Sequence, residues 1–409
     1  MVEEDPISSG QITENQSPPV AVDVVLFPST IPSFCFLKVT RQLLKCNQCE
    51  LPVCSQRCSE SKNHSIECGM VAEARSAGND FSIGVPAVTP LRLIALKTTR
   101  PKDFDTALSM EANLQVLRDR PLWRHLTKHV TEPIMAMQME GVLREEVEHL
   151  MGALLTNAFE VMVQDSLLFG LFFEPALMNH HCVGNTRLML DNQHTMTVIA
   201  SLPVKKNAQV KFNYGRALDP TLTRQSMLLE NKFFSCRCER CLDATELGSH
   251  TSSLRCSPPC DGAVVPKDSV AESSCWVCNK CGVEREASEV AELLAAIAMD
   301  MEKLDRNNLK AVRQLVTKYS DKLHKSNGVM VELKQIVVSG LGRLPGFEMQ
   351  DLTESDHKEK IIFCDEVLTV LNRVEPGLTL GRGLMLFEMH SSLVMVRTIF
   401  ATADYYSTL

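Results

Sequence analysis

Sixteen cysteines are distributed along the 409 residues in a way that a single hydrophobic core would not require. Fourteen fall into three groups: Cys46, Cys49, Cys54, Cys58 and Cys68 around His64; Cys182 with Cys236, Cys238 and Cys241; and Cys256, Cys260, Cys275, Cys278 and Cys281. Cys35 and Cys364 stand apart. The start, "MVEEDPISSG", has neither the positive charge nor the apolar run of a secretory signal, so a reducing compartment, nucleus or cytoplasm or both, is the default expectation. In such a compartment, thiols in pairs and triplets suit metal sites better than disulfides. Zinc is the metal such sulfur-rich sets favour, and a structural zinc takes four ligands.

The spacing then suggests which thiols act together. Cys46 and Cys49 form a short knuckle, while Cys54 with Cys58 and His64 with Cys68 are each four apart, the offset that puts two side chains on one helix face. These six ligands fill one site and half of another. The missing pair should stand upstream, where only Cys35 is present and Lys38 occupies the place that would complete a knuckle. In "FFSCRCERC", Cys236, Cys238 and Cys241 are too tightly packed for disulfides among themselves and leave one ligand place vacant. Isolated Cys182 is the natural fourth ligand, closing the metal over about fifty residues at an entropy cost that grows only with the logarithm of loop length. Three thiolates alone would instead make an open, catalytic zinc. In the third group Cys256, Cys260, Cys278 and Cys281 read as a ribbon-like site on turns, with Cys275 spare. Three or four zinc ions are therefore expected.

Between the cysteine groups the periodicity changes. Residues 1–32 are polar and turn-rich, an extended lead-in, and 33–72 hold the first finger. Over 73–155 apolar residues recur at helical spacing, as in Val142, Val147, Leu150, Met151 and Leu154. Residues 156–215 show short β-branched runs such as "HTMTVIASLPV", which predict strands. The thiol loop spans 216–245, the ribbon-like segment 246–285, and helices fill 286–409. Their stripes are Val290, Leu293, Leu294, Ile297 and Met301; Val312, Leu315, Val316, Tyr319 and Leu323; Phe363, Val367, Val370, Leu371 and Val374; and Leu386, Met389, Leu393, Val396 and Phe400. The "EPG" turn at Pro376 and Gly377 separates the last two. The fold class is α+β and multidomain: a small zinc finger, a mainly-β core with a helical insert, a zinc loop, and stacked helical hairpins.

The net charge of −8 and the lack of a basic recognition helix argue against direct nucleic-acid contact and favour protein or peptide partners, with the chain itself a monomer. No run approaches the ~18 uncharged apolar residues of a membrane span. The most apolar early stretch is cut by Asp23, Pro28 and Pro32.

The residues "NHHCVGNT", "KFNYG" and "RQSMLLENKFFSCRCERC", together with the MYND-like finger, resemble the SET-and-MYND (SMYD) family of protein-lysine methyltransferases. "CLDATELGSH" and "WVCNKCG" are similar to an arthropod, msta-like branch of it, and "EPGLTLGRGLMLFEMHSSL" resembles the family's tetratricopeptide-like region. The resemblance runs from about Cys46 into the C-terminal helices. It implies that Cys46, Cys49, His64 and Cys68 hold one zinc of the finger, and that Cys54 and Cys58 share a second with Cys35. It also implies that Asn179 and His180 touch S-adenosylmethionine, that the Tyr214 hydroxyl sits by the transferring methyl, and that Phe234 stacks on the adenine. Lysine titrates near ~10.4, so such a site must favour the uncharged amine and align it with the methyl.

The sequence also departs from the family pattern. It has no Gly-x-Gly cofactor segment, and "SSGQITENQSPPVAVD" is expected to enter the fold after that segment, as a shortened isoform would. His181 stands where serine is expected, Gly184 where proline is, and Asn207-Ala208 where Gly-Glu is. Together these changes point to reduced or lost methyl transfer. The alternative is a non-catalytic, zinc-stabilised interaction scaffold or transcriptional co-regulator. MYND fingers typically bind proline-containing segments, which suits both readings.

Overall fold

The computed structural model describes residues 43–62, 64–163, 166–191 and 195–400. The lead-in 1–32, Cys35 and Lys38 lie outside the described residues.

The first finger is a two-stranded antiparallel ladder, Leu44–Lys45 on Pro52–Val53, followed by the helices Gln56–Ser59 and His64–Ser76. Ser55 caps the shorter helix by accepting from the Cys58 N–H at 3.3 Å. Cys54 therefore precedes this helix and does not share its face with Cys58, as the spacing had suggested. The finger packs on the helical insert, whose main helices are Val88–Thr99, Pro101–Ser109 and Arg144–Asn157. Glu146 steadies the start of the last of these by accepting from the Leu143 N–H at 3.2 Å. Val147, Leu150, Met151 and Leu154 all point into the core, as their spacing requires. One apolar cluster runs from Leu51, Val53 and Val71 of the finger through Leu91, Trp123 and Leu150 to Phe173.

The β region is built from small ladders. Phe159–Val163 pairs antiparallel with Ser166–Gly170, and Thr186–Leu190 with Met196–Ala200. Asn179–His180 lies parallel to Lys211–Phe212. The turn that follows lies close on the second strand at Gly184: a Cβ there would stand 2.9 Å from the Lys211 carbonyl oxygen and 3.2 Å from Phe212 Cα. Helix Thr221–Lys232 follows and ends on Phe233, whose φ of 62° turns the chain into the thiol loop.

Residues 254–285 form a four-stranded antiparallel sheet in the order Glu284–Arg285, Trp276–Cys278, Ala263–Pro266, Leu254–Arg255. Leu254, Val264 and Trp276 pack with Val290, Ile297, Tyr319 and Leu323, so sheet and helices share a core. The helices are Ala287–Glu302, Leu309–Tyr319, Gly328–Gly340, Glu354–Val374 and Leu380–Met395. Four of these carry apolar faces inward, among them Gly328–Gly340, for which no stripe was read. The last helix differs. Leu386 is 51 % exposed, and the buried row is Met385, Glu388 and Ser392. Glu388 lies 2.6 Å from Lys360 Nζ and also meets Arg343, while Ser392 Oγ lies 3.2 Å from His357 Nδ1. Lys360 and His357 on the preceding helix, with Arg343 from the turn before it, thus bring Glu388 and Ser392 inward, which apolar periodicity cannot register.

Candidate zinc centres and the aromatic cleft

Three quartets have all four of their ligand atoms within 4.8 Å of one another: Cys46, Cys49, His64 and Cys68; Cys182, Cys236, Cys238 and Cys241; Cys256, Cys260, Cys278 and Cys281. All three suit zinc. A tetrahedron with Zn–S bonds of about 2.3 Å has edges of about 3.8 Å. The Sγ–Sγ distances are 3.7 Å for Cys46 to Cys68, 3.4 and 3.9 Å for Cys182 to Cys241 and Cys236, and 3.6 and 3.7 Å for Cys256 to Cys281 and Cys260 to Cys278. None of the cysteines among the described residues is in a disulfide.

In the first centre His64 faces Cys49 Sγ through Nε2 at 3.5 Å. Its Nδ1 lies 3.0 Å from Glu67 Oε1, and Glu67 accepts two bonds of 2.9 Å from Arg92. Glu67 is fully buried and Arg92 nearly so. A carboxylate on the far nitrogen fixes the tautomer that leaves Nε2 free for metal. Burial pushes the Cys46 thiol up, but hydrogen bonds, led by that from the Cys49 N–H, outweigh it and bring it down to about 6. Cys54 and Cys58 face each other at 3.0 Å, outside this quartet. Their third candidate partner, Cys35, lies outside the described residues.

In the second centre the fold brings Cys182 against the triplet and closes the fourth place that three thiols alone would leave open. Gln225 pins the thiol loop to helix Thr221–Lys232, donating to the Cys236 carbonyl at 2.6 Å and accepting from its N–H at 3.1 Å. The third centre sits on the sheet, where the Gly262 and Lys280 N–H groups each donate to sulfur at 3.4 Å, on Cys260 and Cys278. Cys275 stays outside it, 3.4 Å from Glu284 Oε2.

The cleft residues gather beside the second centre. His180 lies 5.1 Å from the Tyr214 ring and 5.8 Å from the Phe234 ring, centroid to centroid, and Tyr214 meets Phe234 edge-on at 6.5 Å. Asn179 is exposed. His180 Nδ1 accepts from the Tyr214 N–H at 3.1 Å, so its proton sits on Nε2, which donates to Cys182 Sγ at 3.3 Å. Burial holds this imidazole neutral, with its pKa lowered to about 4. The Tyr214 hydroxyl donates to the Met178 carbonyl, and burial raises its pKa.

Sequence reasoning missed Lys232. Its Nζ donates to the Thr156 carbonyl at 2.6 Å and lies 5.6 Å from the Tyr214 ring centroid, and burial lowers its pKa. Also missed were the buried charges behind the metals: Glu67 and Arg92, and Arg224, Arg240 and Glu246. In sequence they look like ordinary surface charge. His180 and the Tyr214 hydroxyl are thus engaged within the chain, while Asn179 is exposed.

Known proteins resemble the chain at moderate distance. It is 26% identical over 345 residues to the SET domain-containing protein SmydA-8, isoform A, of Drosophila melanogaster, covering 81% of this chain and 72% of that one. It is 24% identical over 324 residues to the histone-lysine N-methyltransferase ASHR1 of Arabidopsis thaliana, covering 72% and 64%. It is 24% identical over 208 residues to the SET domain and MYND-type zinc finger protein 6 of Schizosaccharomyces pombe, covering 48% and 40%. No family model matches. These similarities support membership of the SET-domain, SMYD-type family, whose methyltransferases imply S-adenosylmethionine as methyl donor.

Proposed function

We propose that the chain is a SET–MYND protein of the arthropod, msta-like branch in which protein-lysine methyl transfer is reduced or lost, and which works through zinc-stabilised protein contacts. The observation that carries this reading is the commitment of His180, whose two ring nitrogens are taken by the Tyr214 N–H and Cys182 Sγ. The residue that the family would use for the cofactor here braces a metal ligand and the tyrosine backbone. Lys232 supports the reading, because the chain's own amine lies against the Tyr214 ring, on the face of the residue that would orient a substrate amine.

The family's methyl donor would supply an electrophilic sulfonium methyl. Toward it, Phe234 offers a stacking face, Tyr214 an orienting hydroxyl, and Asn179 an exposed amide. Partners would be protein segments, proline-containing ones for the finger, bound in the nucleus, the cytoplasm or both. Titration calorimetry of the zinc-loaded chain with S-adenosylmethionine should show weak or no binding. Micromolar binding would overturn the proposal in favour of an active methyltransferase. In that case Tyr214→Phe should abolish transfer at a stability cost of about 1 kcal/mol, that of one hydrogen bond.

A further inference from the structure

Neither the cleft nor the ligand spacing accounts for Arg224. It lies on helix Thr221–Lys232, is 1% exposed, and aims its guanidinium at sulfur. Nε donates to Cys182 Sγ at 3.3 Å and Nη2 to Cys241 Sγ at 3.5 Å. Nη1 donates to Glu246 Oε2 and to the Asp219 carbonyl, each at 2.6 Å. Glu246, also buried, is shared with Arg240 at 3.0 Å, and Arg240 donates in turn to the Ala217 carbonyl at 2.6 Å and to Thr251 Oγ1 at 3.1 Å.

Two buried guanidiniums share one buried carboxylate, with the half-buried Asp219 carboxylate acting on both without direct contact, and the positive charge that water cannot reach is costly unless something negative lies against it. Four thiolates around one zinc carry surplus negative charge, and here two of them, Cys182 and Cys241, lie at hydrogen-bond distance. At the third centre, among the described residues, backbone N–H groups donate to sulfur, and the nearby cation, Lys280, is solvent-exposed, pairs with Asp261 and acts on Cys260 and Cys278 without a hydrogen bond to them.

The far side of the network reaches the helical array. The Thr251 carbonyl accepts from the Gly328 N–H at 2.8 Å, and Asn327 Nδ2 donates to the Ser253 carbonyl at 3.1 Å. A Cβ on Gly328 would come within 2.7 Å of the Leu218 carbonyl oxygen. The loop and turn that receive the guanidiniums therefore also seat the start of helix Gly328–Gly340.

We propose that Arg224, braced by Glu246 and Arg240, is a positioning residue for zinc at the second centre, and that this metal thereby holds the helical array on the β region. The inference rests on the metal centre alone, so a chain that never binds S-adenosylmethionine tests it equally well.

The test follows zinc release from the full zinc-loaded chain into a colorimetric chelator, with alkylation and mass spectrometry to identify which cysteines open. In the wild type the second centre opens last and the third, which holds the exposed Cys281, opens first. Arg224→Met moves the second centre to the front, about tenfold or more faster, with the other two unchanged. Arg224→Lys, which keeps the charge but not the fork, falls between. Hydrogen exchange on the wild type, which needs no variant, shows peptides over 327–331 losing protection as the second centre opens. Equal acceleration at all three centres would reduce Arg224 to a general stabiliser and sink the proposal. So would retained protection over 327–331 after the second centre has emptied.

Discussion

Single residues decide how firmly each metal would be held. Glu67 is positioned by Arg92 and itself orients His64, so Glu67→Gln weakens the carboxylate–imidazole bond without removing a ligand. Zinc affinity of the first centre should fall about 10- to 100-fold, read by competition with a chelator, while the third centre is unaffected. A second prediction concerns protons. His324 packs against His250 with ring centroids 4.6 Å apart and the rings tilted by 39°. Burial, followed by the neighbouring His250, Lys325, Lys334 and Arg255, holds it down to about 4 from an ordinary 6.5. His250 is also lowered, by burial and then Arg373, with Asp243 and Glu246 opposing. A depressed histidine favours the fold while it is neutral, so its contribution is complete above 6.5 and is lost as pH falls toward about 4. Between those values the melting temperature of the wild type should drop more steeply than that of His324→Gln. Parallel curves would remove the pair from the account of acid sensitivity.

At the scale of elements, the site depends on a close backbone crossing. The turn at Gly184 lies so close on the Lys211–Phe212 strand that any side chain there meets main chain. Gly184→Ala should cost about 1–3 kcal/mol in denaturant unfolding, as overpacking does, and should loosen the second centre along with the strand pair. Cysteine spacing was legible because metal ligation is local in sequence: knuckles and i, i+4 pairs are written into a few residues, and the one distant ligand was found because three thiols demand a fourth. Helices with apolar stripes, such as Ala287–Glu302 and Leu309–Tyr319, were legible for the same reason. The last helix was not, because Glu388 and Ser392 point inward only when Lys360, Arg343 and His357 are already in place. Arg224 and Glu246 stayed hidden likewise, since a buried ion pair between residues twenty-two apart has no periodicity.

For the whole molecule, the three complete quartets among the described residues are the governing feature, and native mass spectrometry should find at least three tightly held zinc ions per chain. Cys182→Ser should remove one ion and expose the aromatic cleft to protease, while the first and third centres stay filled. Among the described residues no helix is long and apolar enough to cross a membrane.

The apolar cluster that joins Leu51 and Val71 to Trp123, Leu150 and Phe173 has its own consequence. Cutting the chain behind the finger would leave two greasy scars rather than two finished pieces. The finger is thus no detachable hook on a tether: whatever grips it also pulls on the insert, and a truncated fragment offered as a minimal binder should clump rather than bind.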